Sequence, residues 1–119
     1  MFSQCNIHYF VSPSGDNPVQ KFLDSLSNKQ QVKILRIFQY IKDYGLSVMI
    51  PHTKKITATP LWEIRILGND NIRIMYVIHL KKSILLLHGF IKKSQKTPTQ
   101  ELHTALARLE QWKHMTLDK

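Results

Sequence analysis

Acidic residues are scarce in this 119-residue chain: eight Asp and Glu stand against seventeen Lys and Arg, a formal net charge of +9. Cysteine is scarcer still. A single one, Cys5, excludes an internal disulfide, and between Ile7, Tyr9 and Val11 it reads as a packed thiol rather than a reactive one. The opening "MFSQCNIHYF" has neither a basic leader region nor a cleavage site, so no export signal is expected and a reducing cytoplasm is the predicted location. No apolar run approaches the roughly 20 residues of a membrane span. There is no glycine-rich phosphate loop, no G-x-S-x-G elbow, and no H-E-x-x-H or C-x-x-C pattern among the six scattered histidines. Nucleotide-driven enzymes, serine-triad hydrolases and metal sites are thereby set aside, and no cofactor is expected. Length and composition fit one soluble domain spanning residues 1–119.

The excess positive charge is uneven. Between His52 and Lys96 lie nine cations (Lys54, Lys55, Arg65, Arg73, Lys81, Lys82, Lys92, Lys93 and Lys96) against Glu63 and Asp70, a net +7. Such a tract is the electrostatic footprint of a nucleic-acid binder; its plainer reading is a solubilising surface.

Periodicity predicts the order βααβββα, an α+β fold with a mainly antiparallel sheet and helices packed on one face. "NIHYFV" reads as a short strand. "DNPVQKFLDSL" starts a helix with Asp16 or Asn17 as cap and Val19, Phe22, Leu23 and Leu26 on one side. "SNKQQVKILRIFQYIKDYG" is a second helix, with Val32, Leu35, Phe38 and Ile41 in helical period and Gly45 as the stop. A basic loop, "HTKKITAT", precedes the strands "LWEIRIL", "IRIMYVIH" and "ILLLHGFI", the last two forming a hairpin. "TPTQELHTALARLEQW" closes the chain as a helix, with Thr97 as cap and Leu102, Ala105, Leu106, Leu109 and Trp112 as its stripe.

Alternation along the strands sorts side chains between faces. With the purely apolar sets given to the helices, Arg65, Arg73, His88, Phe90 and Lys92 share the other, open face, with Lys93 and Lys96 at its rim. Each has an ordinary reading by itself: Arg65 paired with Glu63, His88 as a satisfied strand-end histidine, Lys92 and Lys93 as charges that guard an edge. Together they suit metal-free RNA cleavage, in which a ribose 2′-OH attacks its own 3′ phosphate. Arginine forks bind phosphate oxygens, a histidine exchanges protons near neutrality, crowded lysines do so as well, and Phe90 offers a stacking surface.

Over nearly its whole length the chain resembles the RelE/ParE superfamily of bacterial toxins, in particular its HigB-like, phage-derived branch. "LHGFIKKSQKTP" is the specific segment, and "LWEIR" supports it upstream. The resemblance implies a compact RelE-like fold. It also implies a type II toxin that enters the ribosomal A site, cuts mRNA as an endoribonuclease, and is held by a HigA-like helix-turn-helix antitoxin. On it, Arg73, Arg65, Lys92 and Lys93 match basic catalytic or substrate-binding positions, and His88 and Lys96 match less closely; apart from the resemblance, Lys54 and Lys55 of the basic loop and the Phe90 ring are expected as substrate contacts. One departure stands out: RelE-type members carry a reactive tyrosine after the last strand, and none follows Tyr76 here. Two other readings stay open. One is a ParE-like toxin that binds DNA gyrase, which needs no converging cations. The other is a degenerate RNA- or ribosome-binding module.

Overall fold

Helix starts are written into the local sequence. Asn17 caps α1 (Pro18–Asp24), its side chain accepting from the Gln20 N–H at 3.1 Å while Pro18 fills the first turn, where no donor is needed. Ser27 and Gln30 close a reciprocal capping box on α2 (Asn28–Tyr44), which ends at Gly45 with φ +83°. The structure is a computed structural model and describes residues 4–45, 47, 52–66, 68, 71–80, 82–93 and 95–117. Asp70 and Lys81, counted above in the basic tract, lie outside the described residues.

The strands are β1 (Asn6–Tyr9), β2 (Thr53–Lys55), β3 (Trp62–Arg65), β4 (Ile72–Ile78) and β5 (Ser83–Ile91), and α3 runs Thr99–Leu117. They form one sheet in the order β1-β5-β4-β3-β2. Only β1–β5 is parallel; the other pairs are antiparallel. The expected α+β class and the β4–β5 hairpin are both present. The short β2, inside the basic loop, was not expected. Its three residues carry no alternating apolar pattern and depend on pairing with β3.

The helices do not share one face as expected. One core joins Val19, Leu23, Ile34, Phe38 and Ile41 of α1 and α2 to Ile64, Ile74, Tyr76 and Leu86. A second joins Ala105 and Leu109 of α3 to Met75, Val77, Leu85, Leu87 and Phe90. These strand residues alternate, so α3 covers the sheet face opposite α1 and α2. The reason is that the supposedly open face is itself largely apolar at its centre, and leaving it bare would expose Met75, Val77 and Leu87 together.

A β-bulge fixes which residues meet there. Met75 pairs with His88 while Tyr76 pairs with Leu86, so Leu87 is an extra residue in β5. Strict alternation would send Leu87 and Phe90 to opposite faces; the bulge returns both to the α3 side. It also turns Gly89 toward α1, where the Phe22 ring lies on the strand backbone and a β-carbon would overlap it. Two further expectations change. Val32 and Leu35 of α2 are exposed, because Ile34, Phe38 and Ile41 form the buried stripe. The Thr97 hydroxyl turns to Glu63 instead of capping α3, which begins two residues later at Thr99.

Candidate functional site

Where β4 begins and β5 ends, the ladder continues by one bond: the Lys92 N–H donates to the Asn71 carbonyl at 2.8 Å. Asn71 sits at φ +52°, a conformation its short polar side chain tolerates. This junction opens into a cleft of about 360 Å3 lined by Asn71, Arg73, Lys92, Lys93 and Gln95. No carboxylate lines it among the described residues. Arg65 is the cross-strand partner of Arg73 and is exposed. Side chains directly opposite one another share a face, so Arg65, Arg73 and Lys92 come together at the corner of the sheet that α3 leaves uncovered.

Arg73 is held from behind. Its side chain is 13% exposed, and its Nε lies 3.2 Å from Glu63 Oε1, whose side chain is 4% exposed. The Nε–H is not aimed at that oxygen and makes no hydrogen bond, so the contact is an ion pair without a directed bond. One terminal nitrogen, Nη1, donates to the Ile72 carbonyl at 3.1 Å. The other oxygen of Glu63 accepts from the Thr97 hydroxyl at 3.2 Å. One buried carboxylate thus ties β3, β4 and the "KKSQKT" turn to each other. Glu63 was overlooked in the sequence except as a partner for Arg65. The available signal was its position two residues before Arg65, which puts both on one face of β3.

His88 sits elsewhere. Its Nδ1 accepts from Arg108 Nη1 at 3.0 Å, since an arginine can only donate, and its Nε2–H therefore donates to Glu101 Oε2 at 2.9 Å. Arg108 Nη1 also reaches the Leu87 carbonyl at 2.9 Å, the residue extruded by the bulge. Both imidazole nitrogens are engaged, and the geometry fits a clasp between β5 and α3 better than proton exchange with a substrate. Burial pushes the His88 pKa down; the hydrogen bond and charge of Glu101 work against this and the Arg108 charge adds to it. A depressed histidine contributes stability that is fully present above its unfolded value of about 6.5 and is lost as pH falls through the lower folded value. Urea unfolding between pH 7.5 and 5 should therefore show the native chain losing more stability than a His88→Gln variant. Parallel pH profiles would remove the clasp from this role.

The remaining expected contacts divide. Phe90 opposes Arg73 in register but is only 7% exposed and stacks on His88 with centroids 5.5 Å apart, so its ring is not open to a nucleobase. Lys54 pairs with Glu63 on the cleft side of the sheet, whereas Lys55 lies over Trp62 and donates to the Thr59 carbonyl, away from the cleft. Lys96 is exposed on the turn before α3. Tyr76 does not replace the missing tyrosine, being buried on the α1–α2 face with its pKa pushed up to about 12 by desolvation. No group of three or more metal-ligating side chains occurs among the described residues, and none of their helices is long and apolar enough to cross a membrane.

A family model described as "Phage derived protein Gp49-like (DUF891)" matches residues 21–110, which run from within α1 through every strand from β2 to β5 and into α3. No curated protein matches the chain.

Proposed function

Since this chain belongs to the phage-derived Gp49-like family, a family of RelE/HigB-like toxins, we propose that it is the toxin of a type II toxin–antitoxin pair and cuts mRNA on the ribosome without a metal. The observation that carries the reading is the convergence of Arg73, Lys92 and Lys93 on one cleft, with Arg65 across the strand pair from Arg73. Glu63 compensates Arg73 from behind, and the exposed Arg65 with Lys92 and Lys93 leaves the cleft side cationic, a setting that suits a phosphodiester.

In the reaction the ribose 2′-OH gives up its proton to solvent water as its oxygen forms a bond to the adjacent phosphorus, and the bond to the 5′ oxygen breaks. The products are a 2′,3′-cyclic phosphate and a 5′ hydroxyl. Arg73 and Arg65 neutralise the charge that builds on the non-bridging oxygens, and a Lys92 or Lys93 ammonium protonates the departing oxygen. The ribosome contributes by aligning the attacking oxygen with the phosphorus, and alignment is a large part of such a barrier. The partner in this reading is a HigA-like antitoxin.

A second reading draws on a specific observation: with His88 clasped and Tyr76 buried, no histidine, tyrosine or carboxylate lines the cleft among the described residues. That favours a module which grips RNA or the ribosome without cutting. Purified protein added to a translating extract, followed by primer extension on the mRNA, separates the two. Codon-phased breaks that need translation are expected. Slowed translation on intact mRNA would leave the binding module, and inhibition of gyrase supercoiling would replace both.

A further inference from the structure

Helix α2 is apolar on two sides. Ile34, Phe38 and Ile41 enter the core, yet Val32 and Leu35 on the outer side remain 48% and 54% exposed. Tyr40 continues that outer side and stacks on Tyr44 at 6.2 Å. A cleft of about 630 Å3 runs along it, lined by Asn28, Lys29, Val32, Lys33 and Arg36. The acidic residue of the helix, Asp43, lies in its last turn, where it accepts from Gln39 at 3.0 Å, away from Lys29, Lys33 and Arg36. An exposed aliphatic pair beside three cations, with Asn28 as an uncharged polar residue lining the cleft and Asp43 at the far end of the helix, suits a partner that is both apolar and acidic.

We infer that the outer face of α2 is a docking surface for an acidic amphipathic helix of a partner protein. Apolar residues of that helix cover Val32 and Leu35 while its flanking carboxylates meet Lys29, Lys33 and Arg36. Charge decides between occupants. A second copy of this chain would meet the surface through a two-fold contact, bringing the same cations against each other. A nucleic acid would satisfy the cations and leave the aliphatic stripe uncovered. An acidic amphipathic helix answers both features at once. The inference rests on the toxin reading for the existence of a partner, and it adds where that partner sits. Because α2 covers the sheet face opposite Arg73, the docked helix leaves the basic cleft unfilled.

The test is an NMR titration of the isotopically labelled full chain. The probe is a synthetic helical peptide with leucines at i, i+3, i+4 and i+7 and glutamates beside them. Controls are a scrambled peptide of equal composition and a single-stranded RNA oligonucleotide. Shifts confined to outer positions between 28 and 44 are expected, with binding weakened roughly tenfold or more by Leu35→Glu combined with Arg36→Glu. Both side chains are exposed, so the variant's unchanged melting curve verifies its fold. Peptide shifts centred on Arg73 and Lys92, equal binding of the scrambled peptide, or no binding would each overturn the inference. mRNA cutting by the same variant is read separately, so loss of the nuclease reading and loss of the docking surface give different results.

Discussion

Replacing Arg73 with lysine is expected to lower the rate of mRNA cutting by about 100-fold or more, although the charge is retained. A guanidinium presents several donors in one plane and contacts two phosphate oxygens at once; an ammonium is a point charge on a flexible stem. The surroundings favour the first. One edge of the Arg73 group is occupied by Glu63 and the Ile72 carbonyl, which fixes the plane of the fork beside the cleft. Lysine keeps the attraction to Glu63 and loses that fixed plane, so binding of RNA should fall far less than cutting does. Primer extension gives the cutting rate and filter binding gives the affinity. Equal losses in the two would demote Arg73 to a binding contact, and an unaltered rate would remove it from the site. Arg73→Ala is the less informative change, because it strands the buried Glu63 carboxylate.

Removing that carboxylate should have the largest effect on stability. Glu63→Ala leaves the mostly buried Arg73 charge without its counter-ion and the Thr97 hydroxyl without its acceptor. Breaking one side of a buried ion pair costs about 3–5 kcal/mol, and for a domain of this size that lowers Tm by on the order of 10–20 °C. Glu63→Gln keeps an acceptor for Thr97 and should fall between the alanine variant and the native chain. A double-mutant cycle with Thr97→Val isolates the link to the turn, since Thr97 joins the segment carrying Lys92, Lys93 and Lys96 to the sheet. Urea unfolding is the measurement. A loss under about 0.5 kcal/mol for Glu63→Ala would place it among ordinary surface changes.

Much of this architecture could be read from the letters because it depends on neighbours in sequence. Pro18 after Asn17, the 3.6-residue recurrence of Leu102, Ala105, Leu106 and Leu109, and the two-residue alternation from Ile72 to Ile78 are local signals. The gathering of Arg65, Arg73 and Lys92 on one side of the sheet also followed from alternation, but it survives for a reason alternation does not contain. The extra residue at Leu87 resets β5, and nothing in "LLLHGF" announces it, because an extruded residue is defined by the strand opposite. The side occupied by α3 was equally hidden. Its stripe says that it must cover something apolar, not which of two apolar faces is free. For His88 and Phe90 alternation gives the face but not its covering, which α3 supplies. In α2, two overlapping stripes compete, and the core selected Ile34, Phe38 and Ile41 over Val32 and Leu35.

The parallel seam between β1 and β5 governs when the molecule can assemble. Asn6 aligns with Ser83, so the first strand waits for a neighbour 77 positions downstream, while α1 and α2 can form from contacts close at hand. Contacts of such long range slow folding, because the intervening chain must be ordered before the pairing is gained. During synthesis the sheet cannot be completed until β5, which ends at Ile91, has emerged, and Lys92 reaches Arg73 only then. A chain truncated before β5 should retain helical content and have no assembled cation cluster.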